Sequence, residues 1–144
     1  MNQVIFHLAF PVANIPQTKL FYVDGLGCEV GRESPNSIIL GLYGHQIVAH
    51  ISHEPLTVQQ RGIYPRHFGL VFTSEDDWKA LLERSQQKGL HFYQQAKQRF
   101  VGLPTEHCTF FLQDPFDNLL EFKYYREMEA IFGHTEFTQV GDAV

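Results

Sequence analysis

The sequence predicts an α+β fold in which two βαβββ modules form a cupped mixed sheet. The main observation is an internal repeat of roughly 60 residues, in which a strand, a capped helix ending at glycine, and three further strands occur twice. The 13 Phe and 6 Tyr residues are typical of β-structure with a packed interior. A chain of 144 residues suits one domain, or two small modules that share a core.

The first module is predicted to span residues 4–53. Its opening run, VIFHLAFPV at Val4–Val12, is short and apolar and indicates a buried strand. Asn14 can cap a helix over Pro16–Leu26, with proline in the first turn. Three strands follow, with a hairpin turn at Gly44 and His45, and we place them around Cys28–Glu33, Ser37–Tyr43 and Gln46–Ser52.

The second module is predicted to span residues 66–125 in the same order. A strand at Arg66–Phe72 precedes a helix that begins at Thr73 or Ser74 and ends at Gly89. Strands are expected around His91–Gln95, His107–Gln113 and Leu119–Tyr125, and Ala96–Thr105 is expected to be a loop. Residues 54–65 form the linker of a single domain over 1–130. A short helix at 127–134 leads into a tail over 131–144 that is expected to fray.

Composition excludes several classes of function. The net charge of −5 contains no acidic or basic block, so no nucleic-acid partner is indicated. No apolar run reaches the length that spans a membrane, and no secretory signal pattern opens the chain. Two cysteines make neither a disulfide framework nor a CxxC site. We therefore expect a cytoplasmic protein with reduced thiols and no membrane partner.

Glu121 stands in the apolar run LLEFKYY, which otherwise predicts a buried strand. Alternation places Leu119, Glu121 and Lys123 on one face of that strand. An isolated carboxylate is rarely buried unless a cation or strong donors meet it. Either Glu121 faces water, or a group inside the protein requires a negatively charged oxygen.

Histidines at matched positions suggest what that group is. His7 and His67 occupy the same position in the first strands of the two modules. His50 lies in the strand of module one that corresponds to the strand of Glu121, although Val48 shares its face and can occupy the same level instead. Imidazoles with one carboxylate suit a divalent transition metal such as Mn, Fe, Co, Ni or Zn. The plainer alternative is that each histidine is a hydrogen-bonded core residue.

Three segments resemble a known family. HLAFPV, HFGLVF and the pattern F-L-x-D-P-x-x-N-x-x-E at Phe111–Glu121 are similar to the vicinal oxygen chelate superfamily, and the resemblance covers residues 4–125. That superfamily includes glyoxalase I, bleomycin-resistance proteins, fosfomycin-resistance enzymes and extradiol dioxygenases. The resemblance implies two βαβββ modules cupped around a metal, and a homodimer whose sites are often built from both chains.

The resemblance implies a metal-dependent enzyme that acts on a small oxygen-rich substrate by bidentate chelation to a divalent metal. Chemistry of the glyoxalase-like lyase or isomerase type is favoured. His7, His67 and Glu121 are expected to bind the metal, with His50 as a fourth ligand or a base beside it. Tyr124 is expected near the mouth of the site, in contact with substrate.

The sequence also bears on two other activities. An extradiol dioxygenase is less favoured, because Asp117 stands where those enzymes usually have glycine before the glutamate. The alternative from a different class is a non-catalytic protein that binds or sequesters a small molecule, as bleomycin-resistance proteins do. The substrate is not indicated by the sequence.

Overall fold

The computed structural model describes residues 4–54 and 60–142, which form two four-stranded mixed sheets. In each sheet the first strand of a module pairs in parallel with the last, and the remaining pairs are antiparallel. The sheet orders are β1-β4-β3-β2 and β5-β8-β7-β6. The strands are β1 His7–Val12, β2 Glu29–Ser34, β3 Ser37–Leu42, β4 His45–Ile51, β5 Phe68–Phe72, β6 Phe92–Arg99, β7 His107–Gln113 and β8 Leu119–Tyr125. The predicted α+β class and the repeated βαβββ order are confirmed.

Each module carries its helix after the first strand, as the capping residues predict. The Asn14 side chain accepts a hydrogen bond from Gln17 N at 2.8 Å at the start of α1 (Ile15–Lys19), which continues as a π-helical segment over Leu20–Gly25. The Ser74 side chain accepts from Asp77 N at the start of α2 (Glu75–Gln87). A short 3₁₀ helix, Met128–Ile131, follows β8.

One hydrophobic core joins the two modules. Alternate residues of the first and last strands point into it, and Phe10 lies against Phe68 with ring centroids 5.4 Å apart. The Tyr22 hydroxyl donates to Asp114 Oδ2 at 2.8 Å, so a buried polar contact also links module one to the β7–β8 turn. Asn118 Nδ2 donates to the Pro11 carbonyl at 2.8 Å. The other face of each sheet points away from this core.

The main correction to the predicted elements concerns β6. We expected a strand around His91–Gln95 and a loop over Ala96–Thr105, but the strand continues to Arg99 and pairs with β7 through Arg99 and His107. Much of the linker (55–59) and the last two residues of the tail lie outside the described residues. In the part of the chain that the structure describes, no helix is long and apolar enough to cross a membrane.

Candidate functional site around Glu121

Glu121 lies on the face of the module-two sheet that points away from the main core. Residues directly opposite each other on paired strands share a face, so the register of β8 with β5, β7 and β6 identifies its neighbours. The first residue before β5, His67, is on this side as well. The face that carries Glu121 comprises His67, Gly69, Lys97, Arg99, His107, Thr109, Phe111, Lys123 and Tyr125.

The Glu121 carboxylate is 5% exposed and is held by donors from three elements. Its Oε2 accepts from Arg99 Nη1 at 2.9 Å and from the Thr109 hydroxyl at 2.6 Å, and its Oε1 accepts from His67 Nε2 at 3.1 Å. Burial raises the pKa of the Glu121 carboxyl, but hydrogen bonds from His67 and Thr109 and the charges of Lys123 and Arg99 outweigh it and hold the pKa at about 2. The buried carboxylate is therefore ionised, and the chain itself supplies the cation.

His67 uses both ring nitrogens as donors. Its Nδ1 donates to the Ile63 carbonyl at 2.7 Å and its Nε2 donates to Glu121. The hydrogen bond to Glu121 raises the pKa of His67, against the lowering effect of partial burial. Both partners are acceptors, so this geometry favours the imidazolium form of His67, which donates from both ring nitrogens.

Module one presents a different set of groups at the matching positions. Ala9 pairs with Val48 as Gly69 pairs with Glu121, so Val48 and not His50 stands at the level of Glu121. His50 is exposed at the end of that strand, at the level of Lys123. His7 is also exposed, and its Nδ1 donates to Gln46 Oε1 at 2.7 Å.

Tyr124 lies on the opposite face of β8 from Glu121, where its side chain packs against the main hydrophobic core. Lys123 is on the Glu121 face, with its Nζ 4.0 Å from Glu121 Oε1. The structure therefore brings His67, Glu121 and Lys123 together, and places Tyr124 apart from them.

In this arrangement the atoms that could bind a metal at Glu121 are engaged in hydrogen bonds with protein groups. The imidazolium form of His67 has a proton on both ring nitrogens and offers no lone pair to a metal. Both Glu121 oxygens already accept hydrogen bonds. Within 4–54 and 60–142, one group of three side chains brings potential ligand atoms within 4.8 Å of one another, and it consists of Glu127, Glu129 and His134. The predicted metal ligands are not in that group.

Sequence reasoning missed Arg99, which binds the buried Glu121 carboxylate from β6. Arg99 is 6% exposed and binds Glu121 through Nη1 and the tail residue Asp142 through Nε and Nη2. Because the sequence predicts a loop over Ala96–Thr105, it does not place the side chains of this segment on a sheet face. The usable signal is Arg99 itself, because a buried carboxylate requires a cation and arginine is well suited to buried ion pairs.

A cavity of about 700 Å³ lies beside His67, where β1 and β5 meet the linker. Its apolar wall includes Leu8, Phe10, Phe68 and Phe116, and its polar wall includes Gln60, Arg66, His67, Tyr93 and Asp117. A concave site with a mainly apolar wall and a few convergent polar groups is typical of small-molecule binding. A second cavity, of about 650 Å³, lies between the π-helical segment, residues 88–91 after α2 and the β7–β8 turn, and has neither His67 nor Glu121 in its wall.

Comparisons with known proteins agree with this architecture. The family model for the glyoxalase/bleomycin resistance protein/dioxygenase superfamily matches residues 4–122. A crystal structure of a glyoxalase/bleomycin resistance protein/dioxygenase from Alicyclobacillus acidocaldarius is 40% identical, covers 90% of this chain and 97% of its own, and has a TM-score of 0.84.

More distant structures share the fold alone. A fosfomycin resistance protein from Listeria monocytogenes is 18% identical, with 90% of this chain and 99% of its own covered and a TM-score of 0.64. A virulence protein from Salmonella typhimurium is 22% identical, with 87% and 98% covered and a TM-score of 0.59. No curated protein matches the chain. The family model and the Alicyclobacillus relative together establish that this chain belongs to the glyoxalase/bleomycin resistance protein/dioxygenase superfamily.

Proposed function

We propose that this protein binds a small oxygen-rich molecule in the cavity beside His67, and that protein groups rather than a metal provide the positive charge within one chain. The observation that carries the proposal is that His67, which is hydrogen-bonded to Glu121, lies in the wall of a cavity of about 700 Å³. The imidazole ring is fixed in place by the Ile63 carbonyl on its other side. A fixed cation beside an apolar wall favours a ligand with an oxygen-bearing end and an apolar body.

Arg66 is a second group in the cavity wall that favours a ligand with electron-rich oxygen atoms. It is exposed at the cavity wall, and its Nε is 3.3 Å from Gln60 Oε1, which leaves further guanidinium donors for a ligand. Asp117 is the carboxylate in the same wall. Two cations and one carboxylate give the wall an excess of positive charge, which attracts a partly or fully anionic ligand.

The test is ligand-detected NMR with a panel of small oxygen-bearing metabolites, on protein treated with a chelator. We expect binding to persist after chelation and to be lost in His67→Gln, because the substitution removes the cation and keeps a similar size. Arg61→Gln is the matched control, since it removes an exposed cation from outside the cavity wall. Binding that requires an added divalent metal would contradict this proposal.

A metal-dependent enzyme with its site shared between two chains is the second candidate. The observation in its favour is that His67 and Glu121 lie side by side, while His7 is exposed at the matching position of module one. A homodimer that brings His7 of a second copy to this pair would assemble the predicted ligand set, with His50 beside it as a further ligand or base. Lyase or isomerase activity of the glyoxalase type would then be expected.

This candidate requires His67 to give up a proton and Glu121 to release at least one of its donors. Sedimentation of the full chain, of 16.6 kDa, tests for the dimer, and elemental analysis of the dialysed protein tests for the metal. His67→Ala should lower metal content at least about tenfold if the side chain is a ligand. A monomer without metal would reject this candidate and leave the first proposal standing.

A further inference from the structure

The carboxylate of Asp142 is held by two cationic side chains on the Glu121 face. Arg99 donates to it in a two-pronged arrangement, with Nε to Oδ1 at 2.9 Å and Nη2 to Oδ2 at 3.1 Å. Lys97 Nζ adds a third hydrogen bond to Oδ2 at 3.0 Å. This parallel pair of N–H···O bonds is the geometry by which arginine recognises a carboxylate in general.

Arg99 is positioned without help from Asp142. Its side chain is buried, and its third nitrogen, Nη1, is held by Glu121 on β8. Lys97 and Arg99 are two residues apart on β6 and face the same side of the sheet. A guanidinium that is oriented in advance loses little freedom when it binds a carboxylate. The arrangement is therefore a built site for a carboxylate.

Charge on this face exceeds what Glu121 can balance. Arg99, Lys97 and Lys123 lie on the same face as one buried carboxylate, and Asp142 supplies a second negative charge beside Arg99 and Lys97. Burial raises the pKa of Asp142, but the hydrogen bonds and charges of Arg99 and Lys97 outweigh it and lower the pKa. Asp142 therefore reduces the excess of positive charge on this face.

The segment that carries Asp142 is attached weakly elsewhere. Every residue from 135 to 140 is exposed, and Val140 is 90% exposed. Beyond the contacts with Arg99 and Lys97, the Asp142 backbone N–H donates to the Tyr64 hydroxyl at 2.7 Å. Segments with few buried contacts open at low free energy. Asp142 can therefore leave the two cations without unfolding a sheet.

We propose that Arg99 and Lys97 form a carboxylate-binding subsite, and that Asp142 occupies it in place of the carboxylate of a small-molecule ligand, which displaces it. The proposal goes beyond the proposed function, because neither Arg99 nor Lys97 is in the wall of the cavity beside His67, and it names a carboxylate as the chemical class of the ligand at this second position. Asp142 is then a tethered competitor, whose effective concentration is on the order of millimolar for a short flexible tether. Removing its charge unmasks the subsite.

The experiment measures succinate binding by NMR titration of the full chain after chelation. Asp142→Asn should bind succinate at least about tenfold more tightly than the unmodified protein, because the tethered competitor is removed. Glu83→Gln is the matched control, since it removes the same charge from an exposed position on α2. We expect that control to bind succinate as the unmodified protein does.

A second pair of variants separates the subsite from general charge effects. Lys97→Gln in the Asp142→Asn background should weaken succinate binding severalfold, and it leaves the contact between Arg99 and Glu121 in place. In the unmodified protein, succinate should also move the backbone signals of residues 139–141 toward their positions in Asp142→Asn. That movement reports displacement of Asp142 itself.

Equal succinate affinity in Asp142→Asn and the unmodified protein would overturn the proposal. So would inorganic phosphate binding more tightly than succinate, or an unchanged affinity in the Lys97→Gln background. These failures are distinguishable from failure of the proposed function. Binding in the His67 cavity that is sensitive to His67→Gln can persist when succinate does not bind at Arg99.

Discussion

Glu121→Gln tests whether the ionised carboxylate stabilises the fold. A carboxyl that is 5% exposed and whose pKa falls from its ordinary 4.5 to about 2 contributes roughly 3 kcal/mol at neutral pH. Glutamine keeps the size and one acceptor oxygen but removes the charge that Arg99 and His67 bind. We therefore expect the free energy of unfolding to fall by about 3 kcal/mol at pH 7, within the range for breaking a buried ion pair.

The pH dependence of that loss has a definite sign. Because the pKa in the folded protein lies below the ordinary value, the stabilisation is present above pH about 4.5 and is lost as the pH falls toward about 2. The difference in stability between Glu121→Gln and the unmodified protein should therefore shrink across that interval. The variant should lack the part of the stability loss in acid that comes from protonation of Glu121.

Urea denaturation of chelator-treated protein at several pH values between 7 and 2.5 measures both effects. Glu83→Gln serves as the control, because its side chain is exposed on α2 and its replacement should change stability by less than about 0.5 kcal/mol. A Glu121→Gln protein as stable as that control, with an unchanged pH profile, would refute the electrostatic account of this residue.

Three further predictions concern single contacts. His67→Gln should lose more stability at pH 5.5 than at pH 8.5, and urea denaturation at the two pH values measures this. The pKa of His67 is raised in the folded protein. The contribution of His67 to stability is therefore present in acid and is lost as the pH rises through the folded-state pKa. Gly69→Ala should disrupt the β5–β8 pair, since a Cβ there would lie 1.7 Å from the Glu121 carbonyl oxygen, and a fall in melting temperature much larger than in Gly41→Ala would show it. Tyr22→Phe should cost about 1–3 kcal/mol, because the buried Asp114 loses a donor; an unchanged urea midpoint would contradict this.

The order of elements was predictable because it depends on local signals. Asn14 and Ser74 cap the two helices as their positions predict, and the apolar runs of β1, β7 and β8 begin and end close to the expected residues. The second half of β6 was not predictable in this way. It lies at the edge of its sheet, and edge strands carry polar and charged residues in place of an apolar alternation.

The missed part of β6 changed the interpretation of Glu121. The sequence posed the right question, because a carboxylate in LLEFKYY requires a cation or strong donors. Without Arg99 on a strand, a metal was the available cation. Whether a charged side chain on one strand is paired with a charged side chain from a distant strand depends on how the strands are aligned. Alternation within a single strand does not reveal that alignment.

Register also explains why the two modules differ in what they can bind. Val48 is buried at the level that Glu121 occupies in module two, and Ile39 stands opposite it as Phe111 stands opposite Glu121. Module one thus has no carboxylate at the level of Val48 that could bind basic side chains. Its sheet face carries the exposed His7 and His50 instead. The ionic cluster therefore belongs to module two. In a site shared between two chains, module one would contribute the imidazole of His7 or His50, and Glu121 would contribute the carboxylate at the level that Val48 occupies in module one.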